Sequence, residues 1–145
     1  MKPLDTVQTY LDEVAACVMA NDFSGYAARI SLPFFLLTES ASLVVTTTDD
    51  LRAGFDDFQG TLRLQHVTDM IRLADSAAAL GANLISGSYA THLLSSAHRA
   101  VSPFRSQIIL RRAQGIWRAA AITNSLCNQR WPILVPNVSP EPERG

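Results

Sequence analysis

The segment RRAQGIWR, residues 111–118, joins two predicted strands near the end of the chain. Strands are predicted on both sides of it, over Phe104–Arg112 and Ile116–Leu126. The connection Ala113-Gln114-Gly115 ends in glycine, which tolerates the left-handed backbone of a tight turn. This segment predicts an antiparallel hairpin with Trp117 near the start of its second strand.

A strand pattern is also found upstream of the hairpin. Residues 64–73 have a period of about two, which is typical of a strand. Four residues share the apolar face of that strand: Val67, Asp69, Ile71 and Leu73. A turn near Asp75-Ser76 is predicted to lead into a long strand ending near Leu94. Gly81 and Gly87 interrupt this strand, and glycines inside strands often mark bulges or bends.

Before residue 64 the pattern is helical. Apolar residues recur at helical spacing from Leu4 to Val18, with polar residues between them. Asp22 is placed to cap a second, short helix. Thr47 and Asp50 resemble the capping box of a third helix, and Gly60 is predicted to mark its end.

Two short apolar runs, residues 32–37 and 43–46, predict strands between the second and third helices. Helices followed by long antiparallel strands form the α+β layer pattern. We therefore predict N-terminal helices packed on a strongly curved, mixed or antiparallel sheet, forming a cone with an internal pocket. The 145 residues are predicted to form a single domain, with a core at about 4–134 and an irregular tail at 135–145.

Composition argues against several classes of function. Twelve basic and 13 acidic residues give a net charge of −1, and the basic residues are scattered, so no basic face for nucleic acid is predicted. No run approaches the roughly 20 apolar residues of a membrane span. The N-terminus lacks the apolar core of a secretory signal, so we expect a cytoplasmic protein. Cys17 and Cys127 are expected to be reduced, buried, small hydrophobic residues.

The histidines and glycines do not indicate a cofactor. His66, His92 and His98 lack the spacing that places metal ligands on one face of a helix or strand. The glycines around Gly81 and Gly87 lack the spacing of a phosphate-binding or dinucleotide-binding loop. Neither a metal nor a nucleotide cofactor is predicted.

Two segments resemble a known family. Val7-Gln8 and Tyr10-Leu11 on the first helix precede Asn21-Asp22-Phe23-Ser24-Gly25-Tyr26, and residues 111–118 resemble a turn before a tryptophan-led final strand. Over roughly residues 4–126, the order of elements resembles the nuclear transport factor 2-like superfamily, including its SnoaL-like and ketosteroid-isomerase-like branches. The resemblance implies the cone fold. Members include isomerases, dehydratases, cyclases and binding proteins, so it does not imply one function.

The isomerase branch permits a comparison residue by residue. There a helix-1 tyrosine and a protonated aspartic acid hold an enolate oxygen, and an aspartate after the first strand is the base. By resemblance, Tyr10 matches the tyrosine, Glu39 lies near the base position, and Arg105 falls at the position of the second acid. A guanidinium cannot act as that neutral acid, so steroid-isomerase chemistry is not predicted.

Asp69 is a further candidate for a general base. It lies between Val67 and Ile71 on the apolar strand face, so it is predicted to point into the cone, where a carboxyl group can exchange protons with a ligand. The alternative is that the strand is bulged, or that Asp69 lies at a wet rim and pairs with an arginine.

The predicted ligand-binding residues combine aromatic rings with a few polar groups, the usual lining of small-molecule sites. They are Tyr10, Asp69, Tyr89, Ser106, Trp117 and Thr123. The alternative is that these side chains fill the core. The leading hypothesis is binding of a small apolar or aromatic ligand with no assigned reaction. One competing hypothesis is a cofactor-independent isomerase, dehydratase or cyclase that uses Asp69 or Glu39 as base and Tyr10 as donor.

The other competing hypothesis is a non-catalytic, dimeric interaction module. The last strands carry apolar residues on both predicted faces, with Ile109 and Ile122 alternating against Ile108 and Trp117. A sheet face that packs against neither a helix nor solvent usually packs against a partner. A homodimer is therefore predicted under either hypothesis.

Overall fold

The computed structural model describes residues 1–39, 41–96 and 98–124. The elements within these ranges are, in chain order, α1 (Pro3–Met19), α2 (Phe23–Ala27), β1 (Ile30–Leu37), β2 (Ser42–Val45), α3 (Thr48–Leu64), β3 (Asp69–Gly81), β4 (Leu84–Ser95), β5 (His98–Arg99), β6 (Phe104–Ala113) and β7 (Ile116–Asn124). The predicted tail at 135–145, and Cys127, lie outside the described residues. No helix in the described ranges has the length and apolar content that a bilayer crossing requires.

The strands form one mixed sheet that remains open. Their order is β2-β1-β7-β6-β4-β3, with β5 paired to β4. β1 runs parallel to β7, and the other neighbouring strands are antiparallel. The helices pack on this curved sheet, so the predicted α+β class and cone-like architecture are confirmed.

The β6–β7 hairpin forms where the segment at 111–118 predicts it. Ala113 pairs with Ile116, which leaves a two-residue turn. Gln114 and Gly115 both have positive φ, 56° and 77°, as the common turns of tight hairpins require. The local twist of this turn matches that of the flanking strands, so the hairpin is specified by nearby residues.

The first helix packs closely on the sheet. Val7, Leu11, Val14 and Val18 are buried on one face of α1, as the helical spacing predicts. Gly87 of β4 lies beneath Val7, and a Cβ atom at Gly87 would stand only 3.0 Å from Val7 Cγ2. The missing side chain therefore permits the close approach of α1 to β4.

Both predicted helix caps are confirmed. The Asp22 side chain accepts a hydrogen bond of 3.0 Å from the Gly25 amide, and Thr47 Oγ1 accepts one of 3.1 Å from the Asp50 amide. The predicted helix end at Gly60 is wrong, because α3 continues to Leu64. The apolar stripe of α3 extends one turn beyond the glycine, where Leu62 is buried, and this packing outweighs the low helix propensity of glycine.

The predicted turn at Asp75-Ser76 is also wrong. β3 continues to Gly81, and the pairing register with β4 shifts between Ala74 and Ser76, which indicates a bulge. The bulge bends the strand without ending it. The chain turns after Gly81 instead, where Gly81 pairs with Leu84.

Candidate functional site

A cavity of about 60 Å³ lies inside the cone, between the helices and the concave face of the sheet. Its wall is largely apolar. Seven of its lining residues carry polar atoms: Tyr10, Tyr26, Arg72, Tyr89, Thr91, Ser106 and Asn124. A cavity of this volume has room for a few water molecules, or for a ligand of a few heavy atoms.

The polar residues of the sheet wall are neighbours across strands. Arg72 of β3 lies opposite Thr91 of β4, and Tyr89 of β4 lies opposite Ser106 of β6, which in turn lies opposite Asn124 of β7. Directly opposed residues have Cβ atoms about 4.5–5.5 Å apart. The pairing therefore gathers these groups into one polar patch in an apolar wall.

Gln8 of α1 fixes the position of the arginine. Its Nε2 donates to the Arg72 carbonyl oxygen at 2.8 Å, and its Oε1 accepts from the Ala74 amide, also at 2.8 Å. One side chain thus holds the backbone on both sides of Leu73, directly before the β3 bulge. These two hydrogen bonds, here called the Gln8 clamp, attach β3 to α1 next to the cavity.

Two buried polar atoms of this patch have no hydrogen-bond partner among the described residues: Arg72 Nε and Thr91 Oγ1. The Arg72 guanidinium carbon lies 5.8 Å from the centre of the Tyr89 ring, within the range of a cation–π contact. A buried donor without a partner typically costs about 1–3 kcal/mol. The folded protein therefore carries an unsatisfied donor and a hydroxyl side by side in its interior.

The Tyr10 side chain has a structural role in the cavity wall. Its hydroxyl donates to the Arg29 carbonyl oxygen at 2.7 Å. Burial raises the pKa of Tyr10 above its usual value, and burial likewise raises the pKa of Tyr26 to about 12. Both phenols are therefore neutral near pH 7, and the Tyr10 proton is committed to a backbone carbonyl.

We expect Tyr10→Phe to lower the free energy of unfolding by about 0.5–1.5 kcal/mol, because one buried hydrogen bond is lost. Urea unfolding followed by tryptophan fluorescence measures the difference. Tyr26→Phe removes a second phenol of the same wall and serves as the comparison. A Tyr10→Phe variant with wild-type stability would show that the hydroxyl does not anchor Arg29 in solution.

Three predicted ligand-binding residues line the cavity: Tyr10, Tyr89 and Ser106. Thr123 does not, and its predicted inward orientation is wrong. The β6–β7 register shifts between Ile109 and Leu110, so Ile122 and Asn124 face the cavity and Thr123 lies in a depression of the outer surface. The same shift corrects the predicted outward position of Ile122, which pairs with the buried Ile108.

Trp117 also lies outside the cavity. It lines an open groove of about 890 Å³ between α1 and the tips of the β3–β4 and β6–β7 hairpins. The Arg112 guanidinium carbon lies 5.0 Å from the centre of its ring. Trp117 pairs with Arg112 near the hairpin tip, where it is partly buried against the edge of the core and does not line the cavity.

The arginine side chains of the groove beside Trp117 donate hydrogen bonds to neighbouring residues of the fold. Arg112 Nε donates to Asn83 Oδ1 at 2.9 Å, and its Nη2 donates to the Ala82 carbonyl oxygen at 3.0 Å. Arg29 Nη1 donates to the Gly25 carbonyl oxygen at 2.9 Å. These contacts hold the groove together, and the buried donor without a partner lies in the cavity instead.

Asp69 and Glu39 are both exposed to solvent, so the predicted inward orientation of Asp69 is wrong. Met70 and Arg72 occupy the inner face of β3, and Asp69, Ile71 and Leu73 occupy the outer face. Apolar residues lie on both faces of this strand, so hydropathy alone could not identify the inner one.

Arg105 is also directed outward. Its Nη2 lies 2.6 Å from Asp75 Oδ2 on the outer surface. A hydrogen bond from Ser88, together with this Arg105 contact, lowers the pKa of Asp75. The neighbouring Ser106 faces the cavity in its place. Among the described residues, no group of three or more histidine, cysteine, aspartate or glutamate side chains is arranged to hold a metal ion.

Arg72 and Thr91 line the cavity but were not among the predicted ligand-binding residues. Arg72 lies on the face opposite to the predicted apolar face of Asp69 and Ile71, and this opposite face is the inner one. The inward position of Thr91 could have been predicted from β4. Thr91 lies two residues from both Tyr89 and Leu93, so the three share one strand face, and all three are buried. Pairing across to β3 then places Arg72 on the same side.

Comparison with solved structures identifies the architecture. The chain is similar to a nuclear transport factor 2-like protein of unknown function from Pseudomonas putida, with a TM-score of 0.64 and 13% identity over 94% of this chain and 96% of that one. It is also similar to one from Shewanella oneidensis, with a TM-score of 0.63 and 8% identity over 83% and 97% of the two chains. The fold is nuclear transport factor 2-like.

A ketosteroid isomerase-like protein from Erwinia carotovora atroseptica has the same architecture, with a TM-score of 0.59 and 17% identity over 84% of this chain and 94% of that one. No protein-family model and no curated protein matches the chain. At these identities the nuclear transport factor 2-like comparison establishes the fold, and function has to be argued from the cavity.

Proposed function

We propose that this protein binds a small molecule with an apolar or aromatic body in the cavity of the cone. The observation that carries the proposal is a largely apolar cavity in which a few polar groups converge. That combination is characteristic of small-molecule sites, where apolar walls supply affinity and a few polar atoms fix orientation. Tyr89 and Ser106 contribute one ring and one hydroxyl to this arrangement.

The cavity volume limits the ligand to a few heavy atoms in this conformation. A larger ligand requires movement of the aromatic cluster at the helical wall, where the Phe55 ring lies 5.5 Å from Phe23 and 5.0 Å from Tyr26. These rings join α2 to α3, and α2 has five residues. A short helix held by a few ring contacts is the part of the wall that can yield at the lowest free-energy cost.

The competing isomerase, dehydratase or cyclase hypothesis receives less support. It requires a carboxylate within about 3 Å of a substrate proton. Glu39 and Asp69 are the carboxylates that the sequence offers for this role, and both are exposed on the outside of the cone. A binding function therefore fits the cavity better, because it does not require a carboxylate beside the ligand.

We expect native mass spectra of freshly purified protein to show a small additional mass that disappears on denaturation. A chain of 15.8 kDa makes an adduct of this size measurable. Asp69→Asn and Glu39→Gln are the controls, and both should retain the adduct because neither carboxylate faces the cavity. Loss of the adduct in either variant would favour the catalytic hypothesis. Absence of any adduct, together with no stabilisation by small ligands, would contradict the binding proposal.

We also propose that two copies of the chain associate through the outer face of β1 and β2. Phe35 and Val44 lie opposite each other there, and Leu37 lies two residues further along β1. All three are exposed, at 45%, 52% and 45% of their surface. Neighbouring exposed apolar side chains of this size favour burial against a partner, and a second copy supplies an identical apolar surface.

We expect light scattering after size-exclusion chromatography to give twice the mass of the chain at micromolar concentration. Phe35→Asp should raise the dimer dissociation constant by at least about 30-fold, since loss of a central apolar anchor costs about 2 kcal/mol. Leu80→Asp, at an exposed position near the end of β3, is the control and should leave the dimer intact. A monomeric wild-type protein would contradict this proposal.

A further inference from the structure

The cavity has one ionised side chain among its described lining residues, the guanidinium of Arg72. No aspartate or glutamate belongs to this lining. The phenols of Tyr10 and Tyr26 are neutral near pH 7, and burial raises the pKa of each further above its ordinary value. The positive charge of Arg72 therefore has no negative counterpart in the described wall.

Two residues of this wall that pair across strands each carry a polar atom without a partner in the described part of the chain. Arg72 Nε and Thr91 Oγ1 are buried and lack hydrogen-bond partners among the described residues, and the two residues are directly opposed across β3 and β4. Buried polar atoms in native proteins nearly always have a partner, supplied by protein, water or ligand. Two neighbouring exceptions in one cavity therefore mark a place for a group that accepts hydrogen bonds from both.

The arginine is held in place before any ligand arrives. Gln8 fixes its backbone through hydrogen bonds to the Arg72 carbonyl oxygen and the Ala74 amide. The Tyr89 ring lies against its guanidinium. A donor that is already positioned loses little conformational entropy on binding, which favours recognition.

We propose that the ligand of the cavity is a small organic carboxylate, whose oxygens accept hydrogen bonds from Arg72 Nε and Thr91 Oγ1 and whose apolar body contacts the aromatic wall. This inference rests on the proposed binding function and names the chemical class of its ligand. Guanidinium and carboxylate groups are matched in charge and geometry. The hydroxyl of Thr91 supplies a second donor on the neighbouring strand.

An inorganic oxyanion fits this site less well. Phosphate and sulfate carry four oxygens and require several donors around them. The wall beyond the polar patch is formed by apolar side chains such as Phe34, Phe55 and Ile108. A ligand that is charged at one end and apolar at the other matches both parts of the cavity.

The test measures binding of matched carboxylates and neutral amides by calorimetry and by the shift in melting temperature. The probe pairs are propionate with propionamide, butyrate with butyramide, and benzoate with benzamide, and inorganic phosphate and sulfate serve as oxyanion probes. The proteins are wild type, Arg72→Met, Arg72→Lys and Thr91→Val. Arg111→Met is the control, because Arg111 is exposed and faces outward on β6.

We expect wild type and Arg111→Met to bind at least one carboxylate about 10- to 100-fold more tightly than its amide, the range for a hydrogen bond to a charged group. Arg72→Met should abolish this preference. Arg72→Lys should weaken carboxylate binding about 10-fold, because the ammonium lacks the planar Nε–H donor. Thr91→Val should weaken it about 3- to 10-fold and leave amide binding less affected.

The outcomes separate the two proposals. Equal affinity for carboxylates and amides in the wild type, or an undiminished preference in Arg72→Met, would overturn the carboxylate inference and leave the binding function standing. Tighter binding of phosphate or sulfate than of every carboxylate would also overturn the inference. Absence of binding by every probe would overturn both proposals. Folding of each variant is verified by circular dichroism, and Thr91→Val provides the test independently of Arg72.

Discussion

Phe55→Ala is expected to lower the free energy of unfolding by about 3–5 kcal/mol, the range for deleting a buried phenylalanine side chain. Phe55 is 2% exposed in the middle of α3. Its ring contacts those of Phe23 and Tyr26, with centroid distances of 5.5 and 5.0 Å. Its removal therefore eliminates apolar burial and two aromatic contacts, and it widens an existing cavity that the short α2 cannot fill.

Urea unfolding monitored by circular dichroism measures this loss. The matched control is Leu64→Ala on the same helix, where the side chain is 81% exposed and the change should stay within about 0.5 kcal/mol. A loss below about 1 kcal/mol for Phe55→Ala would show that α3 is not anchored to α2 through this ring. The variant also tests the proposed function, because a wider cavity should accept larger ligands.

Features of the fold that depend on nearby residues could be predicted from the sequence. The caps at Asp22 and Thr47 involve amides three residues away, and the turn at Gln114-Gly115 depends on two adjacent backbone conformations. Hydropathy at helical spacing also located α1. In each case the interaction that determines the structure joins residues close in sequence, so the sequence pattern predicts the structure correctly.

Features that depend on distant residues could not be predicted. The β3 bulge lies beside the clamp by Gln8, a residue 66 positions from Ala74 in the sequence. This contact keeps the strand continuous where Asp75-Ser76 alone favours a turn. On the same strand Arg72 faces inward and Asp69 outward, which is the reverse of the faces inferred from hydropathy.

The candidate site was partly predictable for the same reason. Tyr89 and Ser106 share faces with unambiguous core residues, so alternation places them correctly. Thr123 follows the β6–β7 register shift, and one extra residue moves it to the opposite face. Arg72 was missed because charged residues are rarely directed into an apolar interior, and that rarity makes its position informative about function.

The position of Arg72 has a cost that can be measured without any ligand. A buried donor without a partner destabilises the folded state, and an apolar side chain of similar length removes that penalty while it keeps the packing. We therefore expect Arg72→Met to raise the free energy of unfolding by about 1–3 kcal/mol. Most substitutions of inward-facing residues lower stability, so a gain here has the opposite sign to the usual result.

Urea unfolding of ligand-free protein, purified by denaturation and refolding, measures this gain. Arg111→Met is the control for removal of a surface charge and should change stability by no more than about 0.5 kcal/mol. Thr91→Val should gain stability in the same direction, because it replaces the neighbouring hydroxyl with a methyl group of the same shape. A loss of stability in Arg72→Met would mean that the guanidinium is satisfied within the folded chain. No unsatisfied donor would then remain for a carboxylate ligand. A gain would show that Arg72 is present at the expense of stability, as binding residues commonly are.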